Sequence, residues 1–249
     1  MVHFSTFPVT SNTNLYDKYK RSKRTLNENI RTLCNSMQNK EYSNLSKLPY
    51  KVMTFVNSMN WRMKECGEAA LLLLESDYTH PALMLIRSAM ENAAIIISLA
   101  DVIDDVIERK NVSAEIDKKL MLLLFGNNYR KDDPFTGIDD TLYKAERIGK
   151  HVKRAEVLYP GFQRYYSYLC EFVHPNYDGV SQSYSVLHID EDYTTFGPNL
   201  KSSHELYDSF TITLVLALSI YLDQIQSIED NLEHFIHLCD IDIVKKISE

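Results

Sequence analysis

Pro81-Ala-Leu-Met-Leu-Ile-Arg-Ser-Ala-Met-Glu-Asn-Ala-Ala-Ile-Ile-Ile-Ser-Leu-Ala100 decides the fold. Across these residues only Arg87 and Glu91 carry charge. Ala, Leu, Ile and Met occupy nearly every side of the helix they would form, which predicts a central, buried helix running from Pro81 to about Glu108. Arg87 and Glu91 are four apart and share one face. An isolated charge in such a place is costly, so the two must be paired or hydrogen-bonded.

Outward from this segment the chain keeps a helical character. It has 7 glycines and 7 prolines in 249 residues, with 45% hydrophobic residues. So few breakers, with long stretches free of turn signals, point to long helices around a sizeable core. The pattern predicts helices over about Asn14–Met37, Pro49–Ser76, Asn111 onward, about Asp140–Leu158, a segment ending at His174, and about Ser203–Ile236. In the second of these Trp61 and Leu71 to Leu74 are expected to face the core. Thr79 or His80 is expected to cap the central helix, with Pro81 at its first position. Tyr184–Ile189 and Tyr193–Phe196 are β-prone runs separated by Asp190-Glu191-Asp192, which predicts a β-hairpin over about 184–196. The expected fold is therefore all-α, a bundle of about six helices with one inserted hairpin. Residues 1–45 would form a helical extension and 46–249 the bundle.

Bulk properties narrow the function. A net charge of -7 argues against strong general affinity for nucleic acid. Lys18, Lys20, Arg21, Lys23 and Arg24 read as a solvated helix face, with contact to RNA, DNA or an acidic partner as the alternative. Cys34, Cys66, Cys170 and Cys239 form no C-x-x-C pair, so buried thiols in a reducing compartment are expected. Met1–Pro8 lacks the features of a secretory signal. The apolar run Phe210–Leu222 is short for a bilayer span. The expectation is a cytoplasmic protein with no membrane association. The abundance of aromatic residues, 16 tyrosines among them, suggests a homodimer.

Candidate site residues follow from position and chemistry. In Phe162–Val173 the residues Phe162, Tyr166, Leu169 and Val173 form a core stripe, and Gln163, Ser167, Cys170 and His174 an adjacent column at its edge. Pro175 disfavours helical backbone at His174, so this histidine should close the helix. It suits acid–base chemistry near neutral pH, or a capping role at the helix end. Arg87 offers a planar fork for phosphate or carboxylate, or else a buried ion pair with Glu91. Glu233, His234 and His237 have ligand-like spacing but no second copy on another helix, so they read as a solvated face, and no metal or cofactor is expected. The sequence contains no G-x-x-x-x-G-K-[ST], G-x-G-x-x-G or G-x-S-x-G, which disfavours NTPase, kinase, dinucleotide and α/β-hydrolase chemistry.

Arg87-Ser-Ala-Met-Glu91, followed by Tyr166-x-x-x-Cys170-x-x-Val173-His174-Pro175, resembles an uncharacterised bacterial all-helical family. Its pattern is R-x-x-x-E and then Y-x-x-x-S-x-x-V-H-P, and it is similar in turn to HEPN-type bundles. The resemblance covers about residues 50–235. It implies a dimeric helical protein of bacterial or phage defence or toxin–antitoxin type, with Arg87, Glu91, Tyr166 and His174 at its site and RNA or a protein as partner. For a HEPN nuclease it implies metal-independent RNA cleavage, with His174 as acid–base group and an arginine stabilising the phosphorane. The motif of that family is R-x(4–6)-H. Here no arginine stands at that spacing before His174, and Arg164 is ten back. A nuclease would therefore need Arg87 in that role. This departure from the pattern favours a non-catalytic binding or regulatory module, with a metal-independent endoribonuclease as the alternative.

Overall fold

The computed structural model describes residues 36–43, 45–126, 145–198 and 204–248. Among them are six α-helices: α1 (Leu48–Glu75), α2 (Thr79–Arg109), α3 (Ala114–Phe125), α4 (Ile148–Leu158), α5 (Phe162–Val173) and α6 (His204–Ser248). A π-helical turn, Tyr177–Gln182, leads into strands β1 (Ser185–His188) and β2 (Tyr193–Phe196). The strands pair antiparallel, with Ser185 opposite Phe196 and His188 opposite Tyr193. The fold is the all-α bundle with an inserted hairpin that the sequence predicts. The N-terminal helix expected up to Met37 and the segment 127–144 lie outside the described residues, except that Ser36 and Met37 are irregular.

α2 is the axis of the bundle and packs against all five other helices. Ile86, Ala89, Met90, Ala93, Ala94, Ile96, Ile97 and Leu99 have no exposed surface. The alanines let α6 approach closely, and Leu214, Ala217, Ile220, Ile228 and Phe235 of α6 are equally buried. α2 and the Ser209–Ser248 stretch of α6 are long and apolar enough to cross a membrane, by length and composition alone. Within this fold 61% and 56% of their most apolar windows are buried. The run Phe210–Leu222 is thus part of a longer apolar stretch than the sequence reading assigned.

Several local expectations are corrected. α2 starts at Thr79, with Tyr78 as N-cap and no side-chain capping bond, so neither Thr79 nor His80 is the cap. Pro81 falls within the first turn, where a missing N–H costs nothing. Trp61 is 40% exposed, because Met59 and Met63 take the core-facing positions of α1, and Lys64 stands over its ring. Leu72 is also exposed, while Leu71 and Leu74 are buried. α4 begins at Ile148 rather than near Asp140, with residues 145–147 irregular. α6 continues twelve residues past Ile236, through Leu238 and Cys239, both buried. Asp240 near its end accepts hydrogen bonds from the Ser43 hydroxyl (2.6 Å) and the Ser46 backbone N–H (3.2 Å), which ties it to the start of α1. Of the cysteines, Cys239 is buried but Cys66 and Cys170 are half-exposed; all three are free thiols.

α4 is stitched to α2 by Ser98 and His151, 2.8 Å apart, and by Arg154 bound to both carboxylate oxygens of Asp101. Burial lowers the pKa of His151; Glu146 opposes this and Lys150 reinforces it. A folded-state value below the unfolded value near 6.5 means that the unfolded chain takes up the proton first. The contribution to stability is complete above that value and is lost as pH falls from it through the lower folded value. Melting temperatures of the wild type and His151→Asn should therefore diverge between pH 7.5 and 5, the wild type losing more. Parallel curves would show that His151 does not titrate on unfolding.

Candidate functional site

α5 is positioned by the turn before it. Gly161 adopts φ 98, a left-handed conformation that suits glycine. The Glu156 carboxylate accepts from the backbone N–H groups of Gly161 (3.0 Å) and Gln163 (2.7 Å), satisfying donors at the start of α5. Phe162, Tyr166, Leu169 and Phe172 then face the core. The stripe ends on Phe172 rather than on Val173, which is half-buried.

This face brings Tyr166 against the Arg87–Glu91 pair of the central helix. Arg87 Nη2 lies 3.0 Å from Glu91 Oε1 and donates to the Tyr166 hydroxyl at 3.1 Å. The Tyr166 hydroxyl donates in turn to Glu91 Oε1 at 2.9 Å. Three groups thus close a ring in which one carboxylate oxygen serves both donors. The guanidinium carbon also sits 5.4 Å from the centroid of the Tyr166 ring, within cation–π range. The side chains of Arg87 and Glu91 remain 25% and 23% exposed.

The electrostatics follow from burial and contact. Burial alone would lower the Arg87 pKa, but the bond to Tyr166 and the charge of Glu91 outweigh it, and the net shift is upward. Burial and the acceptor Glu91 push the Tyr166 phenol up to about 12 against the opposing pull of Arg87, so the hydroxyl stays a donor at neutral pH. Arg87 Nε is buried and has no hydrogen-bond partner among the described residues. Both polar contacts of the guanidinium fall on Nη2; Nη1 has none among the described residues.

His174 stands apart from this ring. Its backbone is extended (ψ 147), as the following proline requires, and its side chain is exposed. Its N–H still donates to the Cys170 carbonyl at 3.1 Å, so His174 closes the last turn, but its side chain lies in solvent and the expected place at the core edge is not kept. Eight residues separate it from Tyr166, about 12 Å along a helix axis. Gly179 packs beneath its carbonyl: an added Cβ would lie 1.9 Å from His174 O, so only glycine fits there. Of the four expected site residues, Arg87, Glu91 and Tyr166 are brought together and His174 is not part of their contacts. Among the described residues no three His, Cys, Asp or Glu side chains are grouped to hold a metal ion.

Two features near this ring were not singled out as site residues from sequence. His80 and Met84 precede Arg87 and Glu91 at helical spacing on the same stripe of α2. The His80 ring meets Tyr184 at 5.5 Å, its Nδ1 is buried without a partner, and burial lowers its pKa. Asn92, fully buried beside Glu91, accepts from Arg62 Nε at 2.9 Å. The 3.6-residue spacing places His80 on the stripe, whereas nothing in the sequence links Arg62 to Asn92, 30 positions apart.

Fold and site together define an all-α bundle whose central helix presents a carboxylate- and phenol-braced arginine at the surface. No protein-family model, curated protein or solved structure matches this chain.

Proposed function

We propose that this chain is a HEPN-like helical module of bacterial or phage defence or toxin–antitoxin type that works by binding rather than by cleavage. Arg87 is its recognition group for a phosphate or carboxylate on RNA or a protein partner. The observation that carries this reading is the closed Arg87–Tyr166–Glu91 ring, from which His174 is absent. A guanidinium held on one terminal nitrogen keeps the other for a ligand anion, and bracing removes the entropy of ordering it on binding. The Glu91 carboxylate beside it limits affinity for highly charged ligands. The free thiols at Cys66, Cys170 and Cys239 fit a reducing, cytoplasmic setting.

The endoribonuclease reading keeps one supporting observation: His174 is solvent-exposed at the C-cap of the helix that carries Tyr166. RNA cleavage with EDTA present, run on wild type and His174→Ala with melting recorded in parallel, separates the two. No cleavage by the wild type is expected. A labelled single-stranded oligoribonucleotide should bind, about tenfold more weakly to Arg87→Lys, or about 1.4 kcal/mol. EDTA-resistant cleavage that disappears in His174→Ala at unchanged melting would replace the binding reading with the nuclease.

A further inference from the structure

α2 is not covered on every side. Among the described elements α1 and α5 each pack on it but not closely on each other. Between them Met84, Ser88, Glu91 and Ile95 form a row at i, i+4, i+7 and i+11, opposite the fully buried Ile86, Ala93 and Ile97. Met84 is 45% exposed and the other three are half-buried. Each bank of this strip carries a braced arginine. Arg87 stands on the α5 side, tied to Glu91 and Tyr166. Arg62 of α1 stands on the other, where its Nε donates to Asn92 Oδ1 at 2.9 Å and its Nη2 to the Ser88 hydroxyl at 3.3 Å. Both acceptors are neutral, and among the described residues no carboxylate pairs with Arg62. The Arg87–Glu91 and Ser88–Asn92 rows lie about 100° apart around α2, which sets the two guanidinium groups ~10 Å apart across the strip. Cys66, Ala69 and Leu73 continue the row of Arg62 along α1 at helical spacing and are half-buried.

We propose that this strip seats an amphipathic helix of a partner protein, its apolar row laid along Met84 and Ile95 and acidic side chains on both flanks meeting Arg62 and Arg87. The inference rests on Arg87 as a recognition group and extends its site to Arg62. Shape and charge name the occupant. A helix measures about 10–12 Å across with its side chains, so one helix fills the space between guanidinium groups set at that distance. From Met84 to Ile95 the floor runs about 16 Å, three helical turns. Each bank calls for an anion: Arg62 has none among the described residues, and Arg87 shares one carboxylate oxygen with Tyr166. An apolar row between acidic flanks matches floor and banks together, as in other helix-in-groove complexes. A nucleic-acid strand offers no apolar row to Met84 and brings phosphates against Glu91 as it crosses the strip, so it engages Arg87 alone. The chain's own basic run, Lys18 to Arg24, has the wrong sign for this seat.

The test is fluorescence anisotropy of a labelled synthetic helix of about 18 residues, with Leu at i, i+3, i+4 and i+7 and Glu on either side, titrated with the full chain. A counterpart with Lys in place of Glu and the labelled oligoribonucleotide are run in parallel. The Glu peptide should bind in the micromolar range and the Lys peptide should not. Arg62→Gln should weaken the Glu peptide about tenfold and leave the oligoribonucleotide unchanged, whereas Arg87→Lys should weaken both. Met84→Glu should remove peptide binding at unchanged melting. A wild type that binds the oligoribonucleotide through Arg87 but not the Glu peptide overturns the helix seat and leaves the proposed function standing. Binding of both ligands that is indifferent to Arg87→Lys overturns the proposed function, and with it the extension of its site to Arg62. Oligoribonucleotide binding that falls with Arg62→Gln as far as peptide binding does gives the strip to a nucleic-acid strand and overturns the helix.

Discussion

Glu91→Ala is expected to lower the free energy of unfolding by about 2–3 kcal/mol, somewhat below the cost of breaking a fully buried ion pair because both partners keep about a quarter of their surface. The substitution removes the acceptor for two donors at once, Arg87 Nη2 and the Tyr166 hydroxyl. Arg87 already has an unpartnered buried Nε, so the loss leaves a partly desolvated cation with only the phenol oxygen as acceptor. The double variant Glu91→Ala/Arg87→Met, which removes the stranded charge, should recover most of the loss. Urea unfolding of the two single variants and the double gives the coupling energy directly. A cost under about 1 kcal/mol for Glu91→Ala, or additivity in the double variant, would mean that the ring does not act as a unit.

The half of this ring that lies on α2 was legible because its signal is local. Two charges four apart on an otherwise apolar helix must meet each other, and they do. Tyr166 entered through a motif resemblance, and its place against Arg87 depends on how α5 docks, which spacing within one helix does not encode. His174 shows the limit of a helical wheel: proline was correctly read as ending the helix, but a wheel does not tell which neighbours cover that end, and His174 is exposed. The hairpin was legible from β-prone runs around an acidic turn, whereas nothing in the sequence pattern marked the π-helical turn Tyr177–Gln182, where Asn176 accepts from Gly179 N–H. The end of α6 was placed twelve residues early, at Ile236. No glycine or proline stops the helix there, and its anchor, Ser43, is 197 positions away. Trp61 was expected in the core, but Met59 and Met63 set the buried period of α1 and leave Trp61 exposed.

Phe162→Ala should be the most destabilising single change near the site, costing about 3–5 kcal/mol, the range for a fully buried phenylalanine whose cavity the surroundings fill incompletely. Its position gives it a second effect. Phe162 is the first residue of α5, directly after the left-handed Gly161 and one turn before Tyr166. Its ring and the Glu156 carboxylate fix that end of the helix, one by packing and the other by accepting the Gly161 and Gln163 N–H groups. A cavity under the first turn lets α5 shift relative to α2, and the contacts of the Tyr166 hydroxyl, at 2.9 and 3.1 Å, tolerate only a small displacement. Phe162→Leu keeps most of the apolar volume and should cost about 1–1.5 kcal/mol. If the core anchors the ring in this way, the Glu91–Tyr166 coupling energy, measured by a double-mutant cycle with Glu91→Ala and Tyr166→Phe, shrinks in the Phe162→Ala background and persists with Phe162→Leu. An unchanged coupling in Phe162→Ala would show that α5 is seated by its downstream contacts at Leu169 and Phe172, with the first turn free to relax.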